Sequence, residues 1–352
     1  MIVKNEAHVI ERCLQSLRPV IGAWAIVDTG STDGTQALIR TLLGDLPGEL
    51  IERPWVDFAT NRNQALELSR KYGEYALMHD ADETLEVLPQ VPLPARLEGP
   101  GYYLRQKVVG SEFEYSSCKL MRHDLPWRWR GVLHEHPALD PQPALPHIGG
   151  IVVRCHCDGG RSQRPPRDKY LDDVAVLRAA LATEPDNARY VFYLAQSLRD
   201  AGDLAAALEQ YRRRAAMGGW AEEVWYALFQ VAVLLERLKA PDGEVIDAYL
   251  RAWDARPTRA EPMCELARLL RSRGRFASAY VHACAATALP RPPDLLFVDA
   301  GVYRWRALDE RAVAAYYIGR REECGRLCRQ MLASPHLPPG ERARVEANTR
   351  FA

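Results

Sequence analysis

Apolar and polar positions in the first half of the chain follow two alternating periods. Short apolar runs of strand character lie near residues 1–3, 24–27, 49–53 and 75–79, and stretches of helical spacing lie between them at residues 7–17, 31–43 and 60–71. Strands that alternate with helices in this way predict a parallel sheet covered by helices, an α/β fold. Later runs predict further strands, antiparallel in part, at residues 102–109, 113–121 and 151–156.

From Asp168 onward the chain is rich in Ala, Leu and Arg, with helical period and few strand signals. A repeat is visible there, because Ala195, Gly202, Leu204 and Ala207 recur 72 positions later as Ala267, Gly274, Phe276 and Ala279, with a further copy suggested by Gly319, Cys324 and Cys328. This pattern resembles the tetratricopeptide repeat (TPR), although the middle unit at residues 225–253 matches it poorly. A generic helical bundle is the alternative. The Pro-rich segment 161–167 predicts a boundary, giving an α/β domain at residues 1–165 and an all-α TPR-like domain at residues 166–352.

Composition narrows the classes of partner. Lys+Arg and Asp+Glu both number 46 in 352 residues, so the formal net charge is zero and we expect no nucleic-acid partner. No apolar stretch approaches the roughly 20 residues of a membrane span. The eight cysteines lack the spacing of a disulfide framework, which favours the reducing cytoplasm.

The start of the chain carries two expectations. Met1-Ile2-Val3 has the pattern of the end of a strand, so we expect a few native residues upstream of it. Lys4, Asn5 and Glu6 interrupt the apolar start, which argues against a signal peptide.

Three carboxylates follow the apolar run at residues 75–79. They are Asp80, Asp82 and Glu83. The carboxyl ends of strands in open α/β sheets face ligands, and residues two apart on an extended chain share a face, so Asp80 and Asp82 can project together. Such carboxylates suit Mg²⁺ or Mn²⁺ bridging a diphosphate. A turn that binds nothing is the alternative.

A second polar segment follows the apolar run at residues 24–27. Asp28 is succeeded there by Thr-Gly-Ser-Thr-Asp-Gly-Thr at residues 29–35. A nucleotide base or ribose can be held by a carboxylate in such a turn. A helix-capping turn accounts for residues 31–35 by itself but leaves Asp28 unexplained.

Four segments in this order resemble family 2 glycosyltransferases of the GT-A fold. They are Ile-Val-Lys-Asn-Glu at 2–6, the 28–35 segment, Asp-Phe-Ala-Thr-Asn-Arg-Asn at 57–63, and Asp-Ala-Asp-Glu at 80–83. The resemblance covers about residues 1–160. It implies a sugar-nucleotide donor whose uracil is bound by Asp28, with Val3 and Glu6 near the base.

The same resemblance implies roles on the diphosphate side of the donor. It places Asp80 at the ribose or sugar, Arg62 near the diphosphate or donor sugar, and Asp82 on a Mn²⁺ or Mg²⁺ ion. His79 departs from the family, which usually has an aliphatic residue there, and we expect it to pack or to bond locally.

The segment Trp127–His136 resembles a stretch, Arg-x-x-(Ile/Val/Leu)-His-Glu, in the branch of the family that carries helical repeats. That stretch supplies an acidic residue beneath the donor, so the resemblance makes Glu135 the candidate general base. The alternative is a salt bridge from Glu135 to a nearby arginine.

The segment Arg154-Cys155-His156-Cys157 has two interpretations. Strand alternation puts Cys155 and Cys157 on one face and His156 on the other, and no Cys-x-x-Cys pair lies nearby, which argues against structural zinc. Many GT-A enzymes contribute a late histidine to the metal, so the resemblance implies that His156 is a second ligand. A hydrogen-bonded histidine between the domains is the alternative. Lys169, just beyond, is predicted to neutralise the departing diphosphate or else to cap a helix.

The architecture as a whole is similar to that of bacterial peptide S-glycosyltransferases. The resemblance implies an inverting, metal-dependent transfer of a sugar from a UDP-sugar to a peptide or protein, with a homodimer through the repeats as a further expectation. A small-molecule or polysaccharide acceptor is the alternative, and so is a non-catalytic TPR protein with a decayed transferase domain. A nucleotidyltransferase would need a Gly-rich triphosphate loop, which residues 4–6 do not offer.

Overall fold

The computed structural model describes residues 1–350 and forms two compact units, Met1–Asp203 and the chain from Leu204 onward. The first unit continues past residue 165 and includes helices α4 (Pro166–Thr183) and α5 (Ala188–Ala201). The domain boundary at residues 165–166, which follows the change in composition, stays a prediction.

The first unit begins with the expected alternation of strands and helices. Its first elements are β1 (Ile2–Val3), α1 (Ile10–Leu17), β2 (Trp24–Asp28), α2 (Thr35–Leu43), β3 (Gly48–Glu52) and α3 (Phe58–Ser69). The three strands are parallel in the order β1-β2-β3. The apolar faces of α1 and α2 are buried in one core with Ile26 and Val3, which is why their apolar residues recur at helical spacing.

Helices α1 and α2 begin later than the pattern predicts, at Ile10 and Thr35 rather than at residues 7 and 31. The polar side chains of the 31–35 turn bond to the backbone ahead of α1, and Asp33 Oδ1 also accepts the N–H of Thr35 at the start of α2, at 3.1 Å. The bonds run from Asn5 N–H to Ser31 Oγ (2.9 Å), from Glu6 N–H to Thr35 Oγ1 (2.8 Å) and from Ala7 N–H to Asp33 Oδ2 (2.9 Å). The 31–35 turn is therefore fixed against the segment of residues 5–7.

A second group of strands follows, and as expected it is antiparallel in part. Its members are β4 (Tyr75–Leu77), β5 (Glu83–Val87), β6 (Gly101–Val108), β7 (Phe113–Arg122) and β10 (His147–Cys155), with a separate ribbon of β8 (Arg128–Arg130) and β9 (His136–Ala138). Strand β6 is antiparallel to β7 and parallel to β10, which is antiparallel to β5. The first unit is thus the mixed α/β sheet of the GT-A fold class.

Strand β4 differs from the expected fourth parallel strand, because it pairs antiparallel with β7. A cavity of about 630 Å³ is lined by Trp24 of β2 and by Tyr75 and Leu77 of β4. The residues after β4 nevertheless reach the same edge as the end of β2.

The second unit is helical, apart from the short strand β11 (Val298–Asp299). Its helices are α6 (Leu204–Ala216), α7 (Ala221–Arg237), α8 (Asp242–Ala255), α9 (Glu261–Ser272), α10 (Phe276–Ala288), α11 (Ala307–Tyr317), α12 (Arg321–Ala333) and α13 (Pro339–Thr349). Consecutive helices from α6 to α13 pack on one another, with α10 followed by a longer connection before α11. None of the helices in residues 1–350 has the length and apolar character to cross a membrane.

The repeat positions have the roles that the sequence predicts. Ala267 and Ala279 are buried where α9 packs on α10, and Gly274 turns the chain between them with φ +71°. The middle unit is also a helix pair, α7 and α8, but its left-handed turn position is occupied by Lys239, with φ +59°. The poor match of the middle unit is thus explained in part by a non-glycine residue at the turn.

We expect Lys239→Gly to stabilise the protein by about 0.5–1 kcal/mol, because glycine adopts this left-handed conformation without the steric penalty of a side chain. Thermal unfolding of the full chain measures the change. The matched control is Gly274→Lys, which should destabilise, since a Cβ there meets no neighbour and the φ of +71° is the sole obstacle. Shifts of the same sign in both variants would contradict this account of the turn.

Candidate functional site

Asp28 ends β2 and is fully buried. Its Oδ1 accepts hydrogen bonds from the backbone N–H groups of Gly30 and Ser31, both at 2.8 Å, whereas its Oδ2 is buried without a partner. Burial by itself would raise the pKa of Asp28, but the hydrogen bonds from Ser31 and Gly30 outweigh it and lower the pKa. The Gln36 side chain also helps to lower the pKa of Asp28, but Oδ2 accepts no hydrogen bond from the described residues and can take one from an N–H donor.

Val3 and Glu6 lie on the segment beside this turn. The side chain of Val3 is in the core and its carbonyl accepts the Thr29 N–H at 2.9 Å, so Val3 supports the turn through its backbone. The Glu6 carboxylate accepts the Gly160 N–H at 2.9 Å. Burial, helped by the charge of Asp82, raises the pKa of Glu6.

Asp82 faces the same two-glycine turn as Glu6. Its Oδ2 accepts the Gly159 N–H at 3.4 Å, and a Cβ at Gly159 would lie 3.2 Å from Glu6 Oε2 and 3.3 Å from Asp82 Cγ. Burial and the charges of Asp80 and Glu83 raise the pKa of Asp82. Within residues 1–350 no cationic side chain forms an ion pair with Asp82. Its negative charge is therefore uncompensated.

Asp80, by contrast, is the middle of a chain of ion pairs. Arg62 Nη2 lies 2.8 Å from Asp80 Oδ1 and its Nε contacts Glu135 Oε1, while Lys119 Nζ lies 2.8 Å from both oxygens of Glu83 and 3.8 Å from Asp80 Oδ2. Burial would raise the pKa of Asp80, but Arg62 and Lys119 hold it well below its usual range. Three carboxylates share two cations in this chain, so it too carries a surplus of negative charge.

Helix α3 positions Arg62 within this chain. Asp57 caps the helix by accepting the Thr60 N–H at 2.7 Å. Asn63 forms two hydrogen bonds with the backbone of Trp129 in β8, at 2.8 and 3.0 Å. The Arg62 guanidinium then lies over the Trp129 ring, 4.9 Å from its centroid.

Glu135 closes the loop between β8 and β9, since Arg130 pairs with His136. Its side chain is 8% exposed and the contact that the structure gives it is the ion pair with Arg62. The salt bridge considered as an alternative from the sequence is thus present. The general-base role is a separate matter and stays a prediction, as does the expected approach of Arg62 to the diphosphate.

His156 and Lys169 lie at the margin of the site. The backbone N–H of His156 bonds to the Asp82 carbonyl at 3.1 Å, but its ring Nε2 lies 3.0 Å from Thr84 Oγ1. Burial lowers the pKa of His156. The Lys169 ammonium lies 5.4 Å from the centroid of the Tyr170 ring and pairs with no carboxylate among the described residues. Neither residue contacts the Asp82 carboxylate.

His79 is buried behind these groups. It is 2% exposed, and its Nδ1 lies 3.5 Å from Glu83 Oε2 without forming a hydrogen bond. Burial lowers the pKa of His79, so the ring is neutral at neutral pH.

The sequence reasoning missed Lys119, Asn63 and Trp129. Lys119 lies in the apolar run Cys118-Lys119-Leu120, and a lysine inside a buried strand is the signal that could have revealed it, because lysine is almost never fully buried unless it is paired. Asn63 is part of the 57–63 segment, but its partner at Trp129 is 66 residues away and leaves no local signal.

The oxygen donors at this edge suit a hard divalent cation. The described residues contain no group of three or more His, Cys, Asp or Glu side chains that could bind a metal by themselves. Mg²⁺ is commonly held by one or two carboxylates together with substrate phosphates, so such a group is not needed. Asp82, with its uncompensated charge and Glu6 beside it, fits this mode of binding.

Comparisons with known proteins agree with the two-part organisation. The model of the family "Glycosyl transferase family 2" matches residues 1–89. The TPR repeat-containing protein Synpcc7942_0270 of Synechococcus elongatus is 30% identical over 305 residues, which cover 82% of this chain and 74% of that protein. The chain belongs to the family 2 glycosyltransferases that carry tetratricopeptide repeats.

A second relative and two solved structures align with parts of this chain. The SPbeta prophage-derived glycosyltransferase SunS of Bacillus subtilis is 24% identical over 207 residues, 56% of this chain and 48% of that protein. Crystal structures of MamA and of BtubC from P. vanneervenii align with TM-scores of 0.38 and 0.42, at 16% and 14% identity. Each alignment covers 55% of this chain, with 92% of the MamA chain and 82% of the BtubC chain.

The two neighbouring aspartates are expected to respond oppositely to the same substitution. Asp82→Asn should raise the unfolding temperature of the metal-free protein, because it removes an uncompensated charge that a raised pKa shows to be unfavourable. Asp80→Asn should destabilise by about 1–2 kcal/mol, below the 3–5 kcal/mol of a fully buried pair because a third of its side chain is exposed. Differential scanning calorimetry without metal measures both.

The pH dependence of the unfolding temperature tests this account of Asp82→Asn and Asp80→Asn. A carboxyl with a raised folded-state pKa destabilises the fold above that pKa and ceases to do so as the pH falls through it, so the advantage of Asp82→Asn should shrink in acid. If Asp82→Asn destabilises the protein as Asp80→Asn does, the charge of Asp82 is compensated after all.

Proposed function

We propose that this protein transfers a sugar from a UDP-sugar, with Mn²⁺ or Mg²⁺ bound, to a side chain of a peptide or protein, with inversion at the sugar C1. The observation that carries the proposal is that the carboxylates of the site fall into two groups, one paired with Arg62 and one not. Asp28 keeps one oxygen that accepts no hydrogen bond from the described residues, and Asp82 has no paired cation among them, whereas Asp80 and Glu135 are held by Arg62. A nucleotide base and a metal-bound diphosphate are the complements of the two unsatisfied groups.

The donor base is assigned to Asp28. Its free Oδ2 is an acceptor, and uracil offers an N–H donor between two carbonyl groups. The turn that carries Asp28 is fixed by its bonds to residues 5–7, so the acceptor is preorganised rather than ordered on binding. Val3 and Glu6 are proposed to flank the same base.

The diphosphate is assigned to the Asp82 side of the edge. Asp82 would hold the divalent cation, with His156 as a second candidate ligand, and Asp80 and Arg62 would face the ribose or sugar. A cation bound there would stabilise the negative charge of the departing UDP. Lys169 is proposed to contribute a second positive charge toward that leaving group.

Proton transfer is assigned to Glu135. As the acceptor oxygen or sulfur attacks C1, its proton passes to the Glu135 carboxylate, the new bond to C1 forms, and the bond from C1 to the UDP oxygen breaks. The contact with Arg62 fixes the position of that carboxylate. Inversion at C1 is part of the proposal because the resemblance to family 2 glycosyltransferases implies it.

The peptide acceptor is supported by the helical repeats and by the resemblance to bacterial peptide S-glycosyltransferases. Stacked repeats present surfaces suited to extended peptides and to self-association, so we also propose a homodimer through the second unit. We also propose a cytoplasmic location, which the unpaired cysteines of the described residues support. A small-molecule or polysaccharide acceptor is the second candidate.

Donor binding is tested by thermal unfolding with Mn²⁺ and UDP-glucose, UDP-GlcNAc, UDP-galactose or GDP-mannose. At 100 times its dissociation constant the correct UDP-sugar should stabilise the protein by about 2.7 kcal/mol. Asp28→Asn should lose this effect but keep the smaller stabilisation by Mn²⁺ alone, because the acceptor charge is removed and Asp82 is intact. Stabilisation by GDP-mannose alone would overturn the assignment of Asp28 to uracil.

The role of Glu135 is tested by the turnover of the UDP-sugar, measured as released UDP. Glu135→Gln should lower kcat by about 10²–10⁴-fold while the affinity for the donor stays unchanged, since the proton acceptor is lost but the donor contacts remain. Glu67→Gln, on the exposed face of α3, is the matched control. Full turnover by Glu135→Gln would leave Glu135 as a structural partner of Arg62, and a wild type without turnover or donor binding would favour the non-catalytic alternative.

A further inference from the structure

The loop that ends at Glu135 has a strained backbone. It spans residues 131–135 between β8 and β9, with φ +110° at Gly131 and φ +50° at His134. The left-handed conformation is accessible to glycine at little cost, but in a histidine it brings the Cβ close to the backbone and is unfavourable. His134 immediately precedes Glu135, so whatever holds His134 in this conformation also sets the direction of the Glu135 side chain.

Helix α5 supplies the contacts that hold this loop. The ring of Tyr193 stacks on the ring of His134, with centroids 3.9 Å apart and an interplanar angle of 9°. Arg189 donates to the His134 carbonyl from Nη2 at 2.8 Å and from Nε at 3.2 Å. The hydroxyl of Tyr190 accepts the Val132 N–H at 3.3 Å.

Arg189, Tyr190 and Tyr193 all lie on helix α5, which brings them to the loop together. Residues 189 and 193 are one turn apart on α5 and so share a face, and the Arg189 guanidinium lies 4.9 Å from the centroid of the Tyr193 ring. Arg189 therefore contacts both the loop carbonyl and the ring that stacks on the loop. The stack and the hydrogen bonds act on the same residue, His134.

The electrostatic state of His134 is compatible with this arrangement. The His134 side chain is partly exposed, but desolvation of its ring and the nearby charge of Arg189 lower its pKa, so the ring is neutral at neutral pH. A neutral ring stacks on Tyr193 without repelling the adjacent guanidinium. The contacts are thus maintained over the pH range in which an enzyme of this kind would work.

We propose that Arg189, Tyr190 and Tyr193 are positioning residues that hold the 131–135 loop and thereby keep the Glu135 carboxylate against Arg62. This rests on the proposed function in giving Glu135 a catalytic role. Helix α5 also carries Ala195 of the repeat pattern. The candidate catalytic loop is therefore built jointly by strands of the transferase part and by a helix of the repeat pattern.

The test uses two variants of the full-length protein, Arg189→Met and Tyr193→Ala, with Tyr193→Phe as the conservative variant. Arg178→Met, an exposed arginine on α4, is the matched control. Turnover of the UDP-sugar gives kcat and KM, and hydrogen exchange of the amides in residues 131–136 reports on the loop without any substrate. Arg189→Met removes donors from a half-buried side chain, so it tests the proposal even if Tyr193→Ala does not fold.

We expect kcat to fall about 10- to 100-fold in Arg189→Met and Tyr193→Ala, because a displacement of about 1 Å at a reacting group has an effect of this size. KM for the donor should stay within threefold, Tyr193→Phe should retain wild-type kcat, and exchange in residues 131–136 should quicken at least tenfold in the two disruptive variants.

Two results separate this proposal from the proposed function. Unchanged exchange in residues 131–136, or a kcat within twofold of wild type in Arg189→Met, overturns the positioning role. A wild type that turns over no UDP-sugar overturns the proposed function instead, and the exchange measurement then still decides whether α5 holds the loop.

Discussion

Arg62 is a buried cation placed between two carboxylates that come from distant parts of the chain, Asp80 after β4 and Glu135 after β8. Removing a guanidinium from water costs several kcal/mol, and this is offset only when opposite charges and hydrogen bonds surround it with good geometry. Here two carboxylates do so, and the Trp129 ring lies over the guanidinium. Helix α3, the end of β4 and the β8–β9 loop must therefore assemble together, or each would bury an unpaired charge.

This constraint also explains why the site retains unsatisfied groups. Lys119 is occupied by Glu83 and Asp80, and Arg62 by Asp80 and Glu135, so neither of these two buried cations is left to pair with Asp82. Burial and the charges of Asp80 and Glu83 accordingly raise the pKa of Asp82. Functional sites often hold charge that disfavours the free protein and is satisfied by the ligand.

Sequence patterns predicted the helices, the strands and the acidic site residues better than they predicted which side chains pair with one another. The period places Asp28 directly after one strand and Asp80 and Asp82 directly after another, although those two strands belong to different sheets, and the recurring small residues indicate the repeats. The pattern could not show that Arg62 joins Glu135, which is 73 residues away, because pairing across such a distance leaves no local period. For the same reason Lys119 and the contacts of α5 went unnoticed. The middle repeat matched the pattern poorly because its turn carries Lys239, which adopts the left-handed backbone conformation usual for glycine.

The central claim is that Arg62 couples Glu135 to the rest of the site. A double-mutant cycle on the free energy of unfolding in urea, with Arg62→Met, Glu135→Gln and the double variant, measures this coupling directly. Because both side chains are about a tenth exposed, at 11% and 8%, the account predicts a favourable coupling of at least about 1 kcal/mol. Additive effects of the two substitutions, with a coupling near zero, would contradict it.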